Sequence, residues 1–199
     1  STVSGEVGTL TNKLKEINSG ANDSSSTFTN DVYAIDITNT GTGATTFKDN
    51  LLTNNLNVNA GTTNVEDNLT ATTTTITTGT GNFNTVSGTT TSNLQFTDNG
   101  TANLNNGLTG NVTTTADNKG TLNLVGSNNQ TVTGTVGGVG ASLEKVSSGA
   151  TGATSTFVNN VYANTVENTG TGATTFQDNV TATNVNVNAG TSTFQDNLT

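Results

Sequence analysis

The chain has 199 residues and an extreme composition: it lacks Pro, Cys, Met, Trp, His and Arg, and five Lys stand against fourteen Asp plus Glu. Thr makes up about a quarter and Asn about a sixth of the sequence, with 23 Gly, and only 10% of residues are charged. A net charge of −9 with five scattered lysines, Lys13, Lys15, Lys48, Lys119 and Lys145, argues against nucleic acid, because phosphate binding rests on clustered cations.

No apolar run reaches the roughly 20 residues that cross a bilayer. Without His or Cys there is no Ser–His or Cys–His nucleophile pair. The absence of Cys suits a secreted bacterial protein, and a start at Ser1 reads as a processed or excised segment. Disorder is disfavoured because the sequence is rich in Thr, Val, Leu and Phe, and these apolar residues recur periodically.

Along the chain, Leu10, Leu14 and Ile17 carry helical spacing, and one turn of helix is predicted there and at the related Leu143 and Val146. An apolar beat then runs through Phe28, Phe47, Val65, Phe83, Leu104 and Leu124 in steps of 19, 18, 18, 21 and 20. It restarts at Phe157, Phe176 and Phe194 with steps of 19 and 18. Between beats the two-residue period of a half-buried strand appears at Leu56–Asn59, Leu122–Leu124, Val132–Val136 and Val185–Asn188.

A longer repeat encloses the short one. The segment GTGATTF occurs at 41–47 and again at 170–176, and the offset that carries Phe47 to Phe176 holds without a gap from Thr2/Thr131 to Thr70/Thr199. About half of the paired positions are identical. The chain therefore divides into a first long repeat, 1–129, and a partial second, 130–199, continuous with it as one solenoid domain. The natural protein is expected to extend beyond these residues.

Short strands at this spacing fit either a sandwich or a solenoid. Hairpins of a sandwich need tight Asn-Gly or Asp-Gly turns, and only Asn99-Gly100 and Asn106-Gly107 supply them. A right-handed parallel β-helix with about 18–21 residues per coil fits better, because successive coils overlay their apolar positions and let Asn and Thr bond in stacks. Ten or so coils at about 4.8 Å each give a rod of about 50 Å. The absence of Pro agrees, since Pro deletes a ladder hydrogen bond.

No residue is assigned a catalytic, cofactor-binding or metal-binding role. The Asp-Asn pairs at 49–50, 67–68, 98–99, 117–118, 178–179 and 196–197 could offer oxygen to Ca²⁺, but a single carboxylate per coil supplies few ligands, so a corner role is expected. Calcium stays a minor alternative. The adjacent acids Glu66-Asp67 become Gln195-Asp196 in the second copy, which points to a solvated surface rather than acid–base chemistry. Tyr33 and Tyr162 read as core or rim packing, and Gly134–Gly140 as a bend between coils. An ice-binding Thr array, which would need Thr at the pairs Thr27/Thr29, Thr46/Lys48, Asn64/Glu66 and Asn82/Asn84, is broken there, and ice binding stays a minor alternative beside calcium.

The elements Gly120–Leu124, Val132–Gly137, Leu143–Gly149 and Phe157–Ala163, reading GTLNL, VTGTVG, LEKVSSG and FVNNVYA, resemble the repeated passenger regions of alphaproteobacterial autotransporters, notably rickettsial-type surface antigens. The resemblance implies a β-helical rod displayed outside the cell, serving adhesion or invasion, with a separate translocating barrel that these residues do not contain. The expected function is thus a non-catalytic stalk or adhesin of the bacterial cell surface that contacts host or neighbouring-cell molecules. A self-assembling filament or surface-layer subunit, joined through solenoid ends, is the alternative.

Overall fold

The computed structural model describes residues 1–150 and 152–199. Twenty strands carry the chain: β1 (Thr2–Val3), β2 (Leu14–Ser19), β3 (Ser25–Phe28), β4 (Val32–Asn39), β5 (Ala44–Phe47), β6 (Leu51–Val58), β7 (Thr62–Val65), β8 (Leu69–Ile76), β9 (Thr80–Phe83) and β10 (Thr90–Phe96) in the first half. They are followed by β11 (Thr101–Leu104), β12 (Val112–Thr114), β13 (Thr121–Leu124), β14 (Gln130–Val132), β15 (Leu143–Ser148), β16 (Thr154–Phe157), β17 (Val161–Asn168), β18 (Ala173–Phe176), β19 (Val180–Val187) and β20 (Thr191–Phe194). Every pairing between these strands is parallel and joins each strand to the one lying above or below it a coil away, so the fold is an all-β parallel solenoid.

Alternation decides what lies inside. In most of the four-residue strands the second and fourth residues are buried, as in Thr63 and Val65 of β7, whereas β3 buries only Phe28 and the terminal β20 neither. The eight-residue strands break the alternation once: in β6 Asn54 and Asn55 are both exposed, so the strand turns an outward corner there and its halves line two different walls. Each coil therefore presents three inner faces. Phe28, Phe47, Val65, Phe83, Leu104 and Leu124 line the first face, Val32, Leu51 and Leu69 the second, and Ile37, Leu56 and Leu94 the third. All belong to one continuous core, in which the Phe28–Phe47, Phe157–Phe176 and Phe176–Phe194 rings stack at 5.0 Å.

Within a repeat, register partners are separated by one step of the apolar beat, as Phe47 and Val65 or Phe83 and Leu104 are. Near the start and around the repeat seam the coils are longer: Thr2 pairs with Thr27, Leu122 with Val146 and Val132 with Phe157, and Leu108 bridges to Val132. Part of the extra length is a protruding tight turn. Gly138 and Ala141 exchange both backbone hydrogen bonds at 3.0 Å, and Val139 at the tip is exposed. Thr9 and Asn12 make the same exchange in the first copy, with Leu10 exposed. Ten strands in the longest sheet give nine coil steps, or about 43 Å of rise at about 4.8 Å per step.

The helical turns expected at Leu10–Ile17 and around Leu143–Val146 do not form. Leu14–Ser19 and Leu143–Ser148 are strands, and neighbouring coils satisfy their backbone groups on both sides in the case of β15. Leu143 and Val146 point inward at 0% exposure, and Glu144 lies outside, so the apparent helical spacing is an irregular strand alternation.

The two long repeats do not join in phase. Strand β13, on the first face, pairs with β15, whose first-copy equivalent β2 belongs to the other sheet. Leu108 of the second face bridges to Val132 of β14, the equivalent of Val3 on the first face. Val112 of the third face bridges to Val136 and on to Val161, the equivalent of Val32 on the second. Leu124 and Val132 stand too close in sequence for a whole coil to fit between them, so the chain advances only one face before the repeat restarts. One repeat thus spans six coils and a third, and the second copy is rotated by one face about the axis.

Candidate functional site

The corner after each aromatic beat carries a hydrogen-bonded file of side chains. Asn50 Nδ2 donates to Asp31 Oδ1 at 2.8 Å, Asn68 Nδ2 donates to Asn50 Oδ1 at 2.7 Å, and the Thr89 backbone N–H donates to Asn68 Oδ1 at 2.9 Å. The second copy repeats it, with Asn179 donating to Asn160 at 3.2 Å and Asn197 to Asn179 at 2.9 Å. Asp49, Asp178 and Asp196 each accept from the backbone and side chain of the Asn that follows. The four Asp-Asn pairs of this corner, at 49–50, 67–68, 178–179 and 196–197, are therefore corner fixtures.

The other two pairs occupy a different corner, after the third face. Asp98 takes Lys119 Nζ at 2.8 Å, and Asp117 accepts the Ser142 backbone N–H at 2.9 Å. The Lys119 hydrogen bond, with help from the Asn99 backbone, holds the Asp98 carboxyl below the usual aspartate range. Asp31 is lowered in the same direction, chiefly by the Asn50 side chain and also by the Tyr33 hydroxyl, which donates to Asp31 Oδ2 at 3.0 Å. That bond raises Tyr33 in turn. Tyr33 and Tyr162 are outward-facing and half-exposed, so they are rim residues rather than core.

Among the described residues no group of three or more His, Cys, Asp or Glu is placed to hold a metal ion. A cleft of about 590 Å³ lies at the seam between Asn123–Val125 and Ser147, with Ala150, Thr169 and Gly170 on its far side. A smaller one of about 330 Å³ sits at the equivalent Asn18, Ala21 and Thr40. These named lining residues carry no ionisable side chain. The run Gly134–Gly140 includes the protruding turn rather than a simple bend.

The Thr72–Thr78 tract is split by the pleat. Thr74 points inward, fully buried, and shares a 2.9 Å hydrogen bond with Ser92, while Thr73 and Thr75 face out. The pairs tested for an array, such as Asn64/Glu66 and Asn82/Asn84, are out of frame by two positions: the second member lies beyond the strand, and Asn84 is buried in the corner. The true outer pairs of the first face are Thr62/Asn64, Thr80/Asn82, Thr101/Asn103 and Thr121/Asn123, in register across four coils. The recurring T-x-N before Val, Phe or Leu is the sequence signal that marks them.

No protein-family model, curated protein or solved structure matches this chain. What the fold itself defines is a class: a tandem-repeat parallel β-solenoid.

Proposed function

We propose that the chain is a non-catalytic rod segment of a bacterial cell-surface protein, acting as a stalk or an adhesive surface toward host or neighbouring cells. One observation carries this reading: the apolar core runs unbroken through the repeat seam, from Leu104 and Leu124 to Val146 and Val166. Each coil needs only its neighbours, so adding repeats lengthens the rod without a new core. The likeness of FVNNVYA and its companions to autotransporter passenger repeats supports display outside the cell. Few charges and no Cys suit export through a membrane in the unfolded state.

The test is protease shaving of intact source cells, followed by mass spectrometry of the released peptides, with immunogold labelling beside it. Peptides from Gly134–Gly140 and label at the cell boundary are expected. Label confined to the cell interior would overturn the surface reading.

A further inference from the structure

The outer face of β7, β9, β11 and β13 is the most regular polar surface of the molecule. Its four strands pair without a register shift, stacking Thr62, Thr80, Thr101 and Thr121 in one file and Asn64, Asn82, Asn103 and Asn123 in the next. The Asn file is locked from within: Asn82, Asn103 and Asn123 each donate Nδ2 to the Asn before them at 2.8, 2.7 and 2.9 Å. Each carboxamide keeps a second N–H for the outside. The Thr hydroxyls bond to no protein group among the described residues, and these Thr residues are partly exposed. None of these eight side chains carries a charge. The Thr file ends at Ala44 on one side and Lys145 on the other.

A lattice of this kind selects a ligand that is itself a lattice. Neighbouring coils lie about 4.8 Å apart, and residues i and i+2 of a strand about 6.7 Å apart. Tetrahedrally bonded water, at about 2.8 Å per hydrogen bond, repeats at about 4.5 Å in one direction and about 7.4 Å in the perpendicular one. Across the three steps of this array the roughly 4.8 Å spacing drifts from the water repeat by about 1 Å in all, which leaves the hydroxyls within reach of bonded water sites. The β-branched Thr side chain is stiff, and the Asn ladder fixes its neighbours, so little side-chain entropy remains to be lost on binding. No aromatic ring lies among these outer positions to stack on a sugar.

We propose that this face binds crystalline water, with the Thr hydroxyls and methyls and the free Asn N–H groups as the contacts. This inference is independent of cell-surface display. The test is ice shaping and thermal hysteresis of the purified chain in a nanolitre osmometer, together with partitioning into a slowly growing ice hemisphere. The wild-type chain is expected to facet crystals and enter the ice. Thr80→Lys and Thr101→Lys, which place a solvated charge in the array, are expected to abolish both effects with an unchanged circular-dichroism spectrum. Thr75→Lys, on the outer side of β8 in another face, is expected to leave them intact. Unmodified ice growth with the wild-type chain, or equal loss in Thr75→Lys, overturns the proposal.

Discussion

The carboxamide oxygen of Asn39 lies where a side chain on Gly20 would begin: a Cβ added to Gly20 falls 1.8 Å from Asn39 Oδ1. The same distance separates Asn168 Oδ1 from the Cβ site of Gly149, the equivalent pair in the second copy. Both glycines hold positive φ, +66° and +75°. Asn39 is buried, and its Nδ2 donates to Gly43 O, Thr62 O and Thr63 Oγ1, tying one corner to the coils around it. Among the described residues its Oδ1 finds no hydrogen-bond partner, and the close approach of the glycine backbone is what the missing side chain permits.

Gly20→Ala is therefore expected to destabilise by about 2–4 kcal/mol, from the left-handed backbone and from displacement of a triply bonded buried amide. Chemical denaturation measures it. In an Asn39→Ala background the same change should cost clearly less, because the clash is gone and only the backbone strain remains. Additive costs in the double-mutant cycle would show that the Asn39 contact is irrelevant.

The aromatic file gives a second expectation. Phe176 lies between Phe157 and Phe194, 5.0 Å from each with nearly parallel rings, and is fully buried. Phe176→Ala removes contacts on both sides and should cost about 3–5 kcal/mol. Phe194→Val should cost about 1 kcal/mol, since the first copy carries Val65 at that place, packed on Phe47 at 0% exposure. Melting temperatures of the two variants rank the effects.

How far the sequence discloses this architecture depends on the kind of information each feature needs. Phe47 and Val65 are legible as stacked core because an inward residue at a strand end repeats once per coil. The third-turn offset is not, because the stretch from Leu124 to Phe157 holds a coil plus one face plus a protruding turn, and no local pattern separates these. The T-x-N array stays hidden for a related reason. The beat residue marks a strand's inner position without saying on which side of it the chain leaves the strand, so Asn64/Glu66 looks as good as Thr62/Asn64 until the corner after Val65 is seen. Leu143 and Val146 mimic a helix because the alternation of β15 is irregular, with Val146, Ser147 and Ser148 all buried.

Acid stability should draw on Asp31 as well as on Asp98. The folded-state pKa of Asp31 lies below the ordinary value of 3.8, mainly through the Asn50 hydrogen bond, so its contribution is complete above that value and is lost as pH falls through the folded pKa. Tyr33 works at the other end: its pKa is raised above 10.0, so its bond to Asp31 is intact below that value and fails as pH rises beyond. The second copy holds Asn160 where the first has Asp31, and Asn179 still donates to it. Asp31→Asn should therefore fold normally and flatten the decline of the urea midpoint in the acid range below the ordinary aspartate value. A decline unchanged from wild type would assign the acid sensitivity to other carboxylates.

Coil autonomy predicts which deletions the fold accepts. Removing residues 51–68 joins Asn50 to Leu69 and preserves the Asp-Asn-Leu corner, because Asp49-Asn50-Leu51 and Asp67-Asn68-Leu69 occupy register-matched places. The shortened chain should remain β-rich and cooperative, with a rod about 4.8 Å shorter by small-angle scattering. Removing only 51–59 leaves half a coil, turns inner residues outward beyond the junction, and should abolish cooperative unfolding.

The one-face rotation at the seam is the feature whose test reaches furthest. Asn123 of β13 and Ser147 of β15, which lies buried at the seam, are register partners at the spacing of neighbouring strands, about 4.8 Å, which lies within the Cα separation a disulfide accepts. Asn123→Cys with Ser147→Cys should cross-link on mild oxidation, visible as a mobility shift in a chain that has no other thiol. Asn123→Cys with Thr156→Cys should not, because Thr156 pairs with Thr131 and Thr175 on the next face. The reverse result would mean that repeats stack in phase. With the rotation, the exposed turns at Leu10 and Val139 face different sides of the rod, and a further copy stacked with the same offset would bring the equivalent turn to the remaining side.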